Sequence, residues 1–242
     1  MIETIKTKLK GNEKLNRSAV ILYNQRHRIS LKGKRRKKVK GKNNHIKYNQ
    51  TVELSNVEFD IYGNNNTIII DDYCRLFNVK FHLKGNNNQV RIGKNVRFKR
   101  GGSIWVEDYN CSIEIKNGST FVDVHLAAIE PHSKILIGQN CIMGSDIDVR
   151  TGDSHSIIDK NTNERYNKPK DVIIGDHVWV TSHCDILKGV SIPKDSIVST
   201  GSIVTKPFTQ EGIIIGGSPA KILKENITWE KRVVVYDPPE NE

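Results

Sequence analysis

Aliphatic residues recur at every sixth position near the C-terminal end of the chain. The series runs through Ile174, Val180, Ile186, Ile192, Val198 and Val204. A period of six matches neither the period of an amphipathic helix, about 3.6, nor that of a half-buried strand, about 2. It is typical of a triangular coil in which each side is a short strand with a turn, and each aliphatic side chain points inward. The pattern predicts an all-β fold, a left-handed parallel β-helix of hexapeptide repeats.

The repeat continues upstream with a longer period. The segments GKNNHI, GNNNTI and GNNNQV begin at Gly41, Gly63 and Gly85, 22 residues apart each time. Asn at such turns adopts left-handed backbone angles and forms hydrogen-bonded ladders between coils. A thread of isoleucines with steps of 23, 22, 37 and 18 residues runs through Ile92, Ile115, Ile137, Ile174 and Ile192. We therefore expect the coils to be longer in the N-terminal half and shorter towards the C-terminus.

The 37-residue interval between Ile137 and Ile174 exceeds one coil. Its excess falls on residues 151–170, which are polar, rich in turn-forming residues and poor in repeat aliphatics. We expect this segment to leave the β-helix as a loop, and loops on rigid scaffolds commonly carry catalytic residues. The predicted organisation is a basic, partly helical arm over 1–40, a β-helix over 41–218, and a C-terminal cap and tail over 219–242 with a short helix within 219–232.

The charge is distributed unevenly along the chain. The chain of 242 residues is 36% hydrophobic and 7% aromatic, which suits a thin core of stacked Ile and Val. Residues 1–50 hold 16 Lys and Arg against 2 Asp and Glu, so the net charge of +11 arises near the N-terminus. The densest run, residues 26–42, is either a solvated tail or a site for a polyanion such as nucleic acid, anionic lipid or acidic polysaccharide. No aromatic residue interrupts it, which disfavours nucleic acid bound by base stacking as its partner.

The cysteines and the lengths of the apolar runs indicate the cellular compartment of the protein. Cys74, Cys111, Cys141 and Cys184 lie far apart and show no CxxC spacing. They are expected to be small apolar core residues in a reducing compartment. No run approaches the roughly 20 apolar residues of a membrane span, and the N-terminal segment lacks the pattern of a signal peptide. We therefore expect a cytoplasmic protein, and the basic run is compatible with peripheral association at the inner membrane face.

The C-terminal half carries a family resemblance. The run IIGDHVWVTSHCDILKGVSIPKDSIVSTGSIVTKPF, followed by IIIGGSPAKIL, resembles the C-terminal part of hexapeptide-repeat acyltransferases over about residues 137–224. The loop RTGDSHSIID, with Trp179 placed 24 residues after its histidine, is most similar to O-acetyltransferases of sialic-acid-containing capsule polysaccharides. The resemblance implies acetyl-CoA as cosubstrate, a saccharide acceptor, and a homotrimer with sites between subunits. A histidine base would serve O-acetylation and N-acetylation alike, so the residues leave that choice open.

The resemblance also implies roles for individual residues. His155 matches the loop histidine that acts as general base, which takes the proton of an acceptor hydroxyl as it attacks a thioester. Asp153, two residues before it, is a candidate to orient the ring, and Asp153, Arg165 and Tyr166 are expected to contact the acceptor. Trp179 precedes the inward-facing Val180 and should point outward, either to position acetyl-CoA or the acceptor, or to lie in a subunit interface.

The expected cofactor site lies further along the repeat. Small residues allow pantetheine to approach the backbone, and Thr200, Gly201 and Ser202 match the small-residue turn of the family. Ser218, Pro219, Ala220 and Lys221 match the GxPAK ending, in which the lysine faces the CoA phosphates. Lys206 is a second candidate for the phosphates, or a solvated surface lysine. The chain departs from the family at Thr181, where glycine is common, and this puts the local approach of CoA in doubt.

Two other interpretations of the sequence compete with the acyltransferase. His177 and His183 invite comparison with γ-class carbonic anhydrases, which use the same fold and three histidines to bind zinc. Residues six apart should point to different sides of the coil, whereas zinc needs converging ligands, so no metal is expected. The other rival is a non-enzymatic β-helix scaffold that uses its basic N-terminal arm to hold a polyanion.

Overall fold

The computed structural model describes residues 36–234 together with residues 18, 19, 21 and 22. The strands in this part of the chain are β1 (Arg36–Lys40), β2 (His45–Lys47), β3 (Glu53–Ser55), β4 (Glu58–Tyr62), β5 (Thr67–Ile70), β6 (Arg75–Phe77), β7 (Val79–Asn86), β8 (Gln89–Ile92), β9 (Arg97–Tyr109), β10 (Ser112–Ile115), β11 (Thr120–Ala128), β12 (Lys134–Ile137), β13 (Ile142–Met143), β14 (Ile147–Arg150), β15 (Val172–Ile174), β16 (Trp179–Val180), β17 (Cys184–Ile186), β18 (Ser191–Ile192), β19 (Ile197–Val198), β20 (Ile203–Val204), β21 (Ile214–Gly217) and β22 (Ala220–Lys224). Helical backbone is confined, among the described residues, to Ser18, Ala19, Ile21 and Leu22.

The strands form a left-handed parallel β-helix of about 8 coils. Each coil passes through three faces in turn. Face 1 consists of β2, β5, β8, β10, β12, β15 and β18. Face 2 consists of β3, β6, β13, β16, β19 and β21, and face 3 of β1, β4, β7, β14, β17 and β20. The long strands β9 and β11 bend from face 2 into face 3. The corners are named by the faces that they join, so corner 3/1 lies opposite face 2.

The six-residue series marks the inner side of the coil, as predicted. All six members, from Ile174 to Val204, are at most 1% exposed. The thread of isoleucines is the strand register itself, because Ile92 pairs with Ile115, Ile115 with Ile137, Ile137 with Ile174 and Ile174 with Ile192. The predicted coil lengths are therefore confirmed, including the single long interval. Larger rings fill the wider N-terminal coils, where Phe98 stacks on Phe121 with centroids 4.5 Å apart.

Asparagine ladders join the longer coils at one corner. The side chain of Asn43 donates to Asn65, and that of Asn65 donates to Asn87, over 3.2 and 3.1 Å. All three have positive φ, between 56° and 59°, a conformation that asparagine tolerates better than most residues. At Gly63, a Cβ would lie 1.9 Å from the carbonyl oxygen of Gly85, so only glycine fits there. The predicted ladder is confirmed.

Both ends of the β-helix differ from the predicted organisation. The predicted arm includes Arg36–Lys40, but these residues form β1 and pair in parallel with β4, so the β-helix already includes residue 36. The predicted C-terminal helix is wrong, because Ala220–Lys224 is a strand, β22, that turns back antiparallel on β21. The open edge of the last coil on face 2 supplies backbone partners that a helix would leave unused. The rest of the predicted N-terminal helix lies outside the described residues.

The cysteines occupy the interior, as expected. All four are free thiols and at most 1% exposed. Burial raises the pKa of the Cys74 thiol to about 12 and that of Cys141 to about 11. In the part of the chain that the structure describes, no helix has the length and apolar character needed to cross a membrane.

Candidate active site

Residues 151–170 leave the β-helix at corner 3/1, between β14 and β15. The loop is a small hairpin, in which Ile158 pairs with Arg165 in an antiparallel bridge and the backbone N–H of Tyr166 donates to Ile157 over 2.8 Å. The carboxylate of Asp159 closes its tip by accepting the backbone N–H groups of Asn161 and Thr162. The predicted loop is thus an ordered element, and it projects from the scaffold.

Asn167 holds the base of this hairpin together. Its amide nitrogen donates to the Asp153 carboxylate over 2.7 Å and to the His155 carbonyl over 2.8 Å. Its amide oxygen accepts the backbone N–H of Ile157 at 2.7 Å and the guanidinium of Arg165 at 3.3 Å. Asn167 is only 5% exposed, so these bonds form where water competes poorly. The side chain of Asn167 therefore fixes the position of the His155 backbone.

Two ion pairs tie the hairpin to the coils above and below. Arg165 binds Glu130 end-on through both terminal guanidinium nitrogens, with nitrogen–oxygen distances of 2.5 and 2.8 Å. Lys188, on the following coil, contacts the carboxylate of Asp153. Burial opposes the ionisation of Asp153, but hydrogen bonds from Lys188 and Asn167 outweigh it and lower the pKa of this carboxyl. The predicted acceptor contacts Asp153 and Arg165 thus have anchoring partners within the chain.

The exposed surface of the loop holds the candidate base. His155 is exposed, and the carboxylate of Asp153 faces Lys188 and Asn167, so Asp153 orients the loop backbone and not the imidazole ring. Tyr166 is 81% exposed and Ile157 is 56% exposed. A hairpin that presents an aromatic and an aliphatic side chain to solvent beside a histidine is suited to contact another molecule.

A second group of predicted residues gathers at corner 2/3 of the last coils. Thr200 donates to the hydroxyl of Thr181 over 3.1 Å, and Thr181 donates to the Val198 carbonyl over 2.7 Å. Ser202 is buried, donates to the Ser199 carbonyl and accepts the backbone N–H of Gly217, so it shapes this corner from within. Gly201 has a φ of 72° and open space where a Cβ would lie. The corner therefore exposes backbone next to a hydroxyl pair.

The GxPAK segment joins this corner. A cis peptide bond links Ser218 to Pro219 in the turn between β21 and β22, and Lys221 pairs in register with Gly216. Lys221 is exposed beside the corner, whereas Ala220 is buried. Lys206 lies elsewhere, at corner 3/1 after β20, where its ammonium is 5.9 Å from the centre of the Phe208 ring. The structure therefore separates Lys206 from the other predicted cofactor residues.

Trp179 points outward from face 2 and is 38% exposed, as the alternation predicted. Its indole lies 6.0 Å from that of Trp229, which belongs to the segment after β22. Trp229 in turn stacks on His177 with centroids 4.1 Å apart, and its indole nitrogen donates to the His177 carbonyl over 2.8 Å. The C-terminal segment thus supports one side of Trp179.

The two histidines of the carbonic anhydrase comparison lie at different corners. His177 contacts Asp195 and His183 contacts Asp146, both over 2.8 Å. Each pair joins neighbouring coils, and the described residues contain no group of three or more metal-binding side chains. The positions of both histidines are explained by these coil-to-coil contacts.

One chain does not bring its two candidate clusters together. The loop with His155 leaves from corner 3/1, and its ion pairs to Glu130 and Lys188 keep its base there. Trp179 lies on face 2, which is the opposite side of the triangular section. The small-residue corner 2/3 borders face 2 as well. Within one chain, the histidine loop and the small-residue corner therefore lie on different sides of the β-helix.

A hexapeptide β-helix with a projecting histidine loop and a small-residue corner before a GxPAK turn defines the class of hexapeptide-repeat acyltransferases. The chain is 34% identical over 133 residues to the polysialic acid O-acetyltransferase of Neisseria meningitidis, covering 54% of this chain and 61% of that protein. It is 35% identical over 142 residues to that of Escherichia coli O1:K1 / APEC, covering 59% of this chain and 45% of that protein. The matches thus span about half of each curated relative.

Structure comparison extends the likeness over most of the chain. The crystal structure of the polysialic acid O-acetyltransferase OatWY has 33% sequence identity and a TM-score of 0.76, and the match covers 81% of this chain and 93% of that one. No family model matches the sequence. The chain belongs to the hexapeptide-repeat acetyltransferases, in the family of the polysialic acid O-acetyltransferases.

Sequence reasoning missed Asn167 and Trp229. Asn167 looks like one of several polar loop residues, and only its buried position reveals its four partners. Trp229 had a weak signal, since it is one of only 3 tryptophans and lies just beyond the repeat.

Proposed function

We propose that the protein is an acetyl-CoA-dependent O-acetyltransferase that acts on a hydroxyl of an anionic surface polysaccharide, a sialic-acid polymer of the capsular type. The supporting observation is the ordered loop that presents His155 at corner 3/1 through Asn167. The family adds the reaction class, because its named relatives are polysialic acid O-acetyltransferases. Face 2 and corner 2/3, with Trp179, Thr200, Gly201 and Lys221, would bind acetyl-CoA.

The proposed mechanism is a direct transfer. His155 accepts the proton of the acceptor hydroxyl while the hydroxyl oxygen attacks the thioester carbonyl carbon. Backbone N–H groups at the small-residue corner would stabilise the oxyanion of the tetrahedral intermediate. As the carbon–sulfur bond breaks, the imidazolium returns the proton to the leaving thiolate. The products are an acetyl ester and free CoA, and no metal takes part.

The test of the chemistry is release of free thiol from acetyl-CoA, with and without polysialic acid. The wild type should show acceptor-dependent release, and His155→Ala should lower kcat by about 10²–10⁴-fold, the usual contribution of a general base. The matched control is His45→Ala, an exposed histidine on face 1, which should retain full activity. If the wild type releases no acceptor-dependent thiol, or His155→Ala remains fully active, the proposal fails.

We further propose that the active unit is a homotrimer in which His155 of one copy meets Trp179 of the next. This follows from the placement of the two clusters on opposite sides of one chain. Inactive His155→Ala and Trp179→Ala subunits, unfolded together and refolded as a mixture, would then regain about one quarter of the wild-type activity, because a quarter of the sites combine two intact residues. Sites built within one chain would regain none, and that result would refute a shared site.

The basic strand β1 bears on the anionic acceptor. It lies on face 3, five strand spacings from β14, and thus roughly 24 Å from the start of the catalytic loop. We propose that β1 binds a distant part of the same polymer chain and so tethers it to the enzyme. We further propose that the enzyme is cytoplasmic and works at the membrane face. Replacing Arg36, Lys38 and Lys40 by Gln should raise the KM for long polymer far more than for short oligosaccharide. An equal effect on both would refute the tether.

A further inference from the structure

An open slot lies on the outside of face 3, next to the catalytic loop. Its volume is about 300 Å³, and its lining includes Trp105, His125, Ala127, Arg150 and Ser154. Trp105, Ala127 and Arg150 occupy one column, a residue per coil, because Ala127 pairs in register with both of the others. The slot exists because the middle member of the column is an alanine.

The indole of Trp105 forms the floor of this slot. His82, one coil below, stacks on it with centroids 3.9 Å apart and planes 23° apart. This stack leaves the opposite face of the indole directed at Ala127. Neighbouring strands lie about 4.8 Å apart, so Trp105 and Arg150 are separated by roughly 9.6 Å along the column. A ring in van der Waals contact with both needs about 7–8 Å, so a single ring fits between them.

The walls of the slot suit a sugar. The Asp148 carboxylate binds Arg150 side-on, including a 3.0 Å contact to Nε, and so fixes the plane of the guanidinium. Burial lowers the pKa of His125, so its imidazole is neutral near pH 7 and both donates and accepts hydrogen bonds. Glu107 lines the slot as well and is paired with Lys84 over 3.6 Å. An apolar floor with donors and acceptors around it matches the apolar face and hydroxyl rim of a pyranose.

The slot also lies beside the base. Ser154 closes one side, and the next residue in the chain is His155. We propose that the slot is the acceptor subsite, in which a pyranose ring of the glycan stacks on Trp105 beneath Arg150 with a hydroxyl directed towards His155. This assignment rests on the proposed function for its chemistry. It adds the residues that select the acceptor.

The test fills the slot. Ala127→Leu places a larger side chain over the indole, and it should raise the KM for polysialic acid at least tenfold while the KM for acetyl-CoA stays within twofold. Trp105→Ala should do the same, and Trp105→Phe should retain part of the affinity. The matched control is Thr67→Leu, a half-buried outward position on face 1, which should leave both constants unchanged. Unchanged acceptor kinetics in Ala127→Leu would overturn the assignment.

Binding without turnover separates the slot from the reaction. Titration calorimetry with sialic acid oligomers, in the absence of acetyl-CoA, should show binding to the wild type and at least a tenfold loss in Ala127→Leu. If the wild type is active and Ala127→Leu binds the sialic acid oligomers as tightly as the wild type does, the slot assignment fails while the proposed function stands. If the oligomers bind in the slot but no acetyl transfer occurs, the proposed function fails alone. If the protein assembly of Ala127→Leu has a different mass from that of the wild type, another copy of the chain covers the slot. That result also overturns the assignment.

Discussion

Asn167 offers a direct test of how the loop positions its histidine. Replacing it with Ala removes four hydrogen bonds, to Asp153, His155, Ile157 and Arg165. Each such bond is worth about 0.5–1.5 kcal/mol net, so the docked loop loses about 2–6 kcal/mol. Water will replace some of these bonds once the side chain is gone, which places the expected loss in the lower half of that range.

The loss should appear in catalysis and not in global stability. About 3 kcal/mol corresponds to roughly a 10²-fold fall in kcat if the displaced loop is inactive. The hairpin lies outside the stacked core, so the melting temperature should fall by less than about 4 °C. Initial rates of thiol release and thermal unfolding measured on the same preparations give both quantities.

Two further variants sharpen this test. Asn167→Asp keeps an acceptor for Ile157 but loses the donor to His155 and adds a carboxylate beside Asp153, so it should be at least as impaired as the alanine variant. Asn161→Ala, at the exposed tip of the same hairpin, keeps its backbone bond to Asp159 and should be fully active. A kcat for Asn167→Ala within threefold of wild type would refute the positioning role. So would a fall in melting temperature large enough to explain the loss of activity.

Three other results are expected. The four buried cysteines should resist a thiol reagent such as Ellman's reagent in the native protein and all react after denaturation, because burial raises the pKa of the thiols; rapid native labelling would contradict their placement. Asn66→Ala should destabilise the β-helix by about 3 kcal/mol and lower the melting temperature by roughly 6–12 °C, since Asn66 is fully buried and bonds to Asn44, Gly85 and Asn88; a shift under about 2 °C would contradict the ladder's role. The lowered pKa of Asp153 means that its contribution is present above the ordinary carboxyl pKa and is lost as pH falls through the lowered value. Lys188→Met should therefore make the loop sensitive to protease at a higher pH than in wild type, and an unchanged pH profile would show that Lys188 does not hold the loop.

The repeat made the scaffold predictable because its inward positions are set by one requirement. Each of Ile174, Val180 and Ile186 must fill the same thin column, so the period survives in the sequence and gives both register and coil length. The loop at 151–170 was predictable because the interval between Ile137 and Ile174 is longer than one coil. His155, Trp179 and the GxPAK segment were predicted from the family resemblance, because no repeat position requires them.

Features that depend on contacts between distant coils were beyond the sequence. Nothing local distinguishes Ala127 from other small residues, and its meaning comes from Trp105 and Arg150, which lie about one coil away on either side. The same holds for Asn167 and for the ion pair of Arg165 with Glu130. A short C-terminal helix within 219–232 was expected to cap the last coil, but the free edge of β21 offered residues 220–224 a more favourable set of backbone partners.

The basic strand β1 has a further consequence for solubility. Among the described residues it pairs on one side only, with β4, and all five of its residues are exposed. The end of a β-helix presents an unpaired row of backbone groups that is a template for joining another copy end to end. Four of the five residues of β1 are Arg or Lys, so two such ends repel each other. The charge that would attract an anionic polymer thus also opposes head-to-head pairing of two copies through this strand.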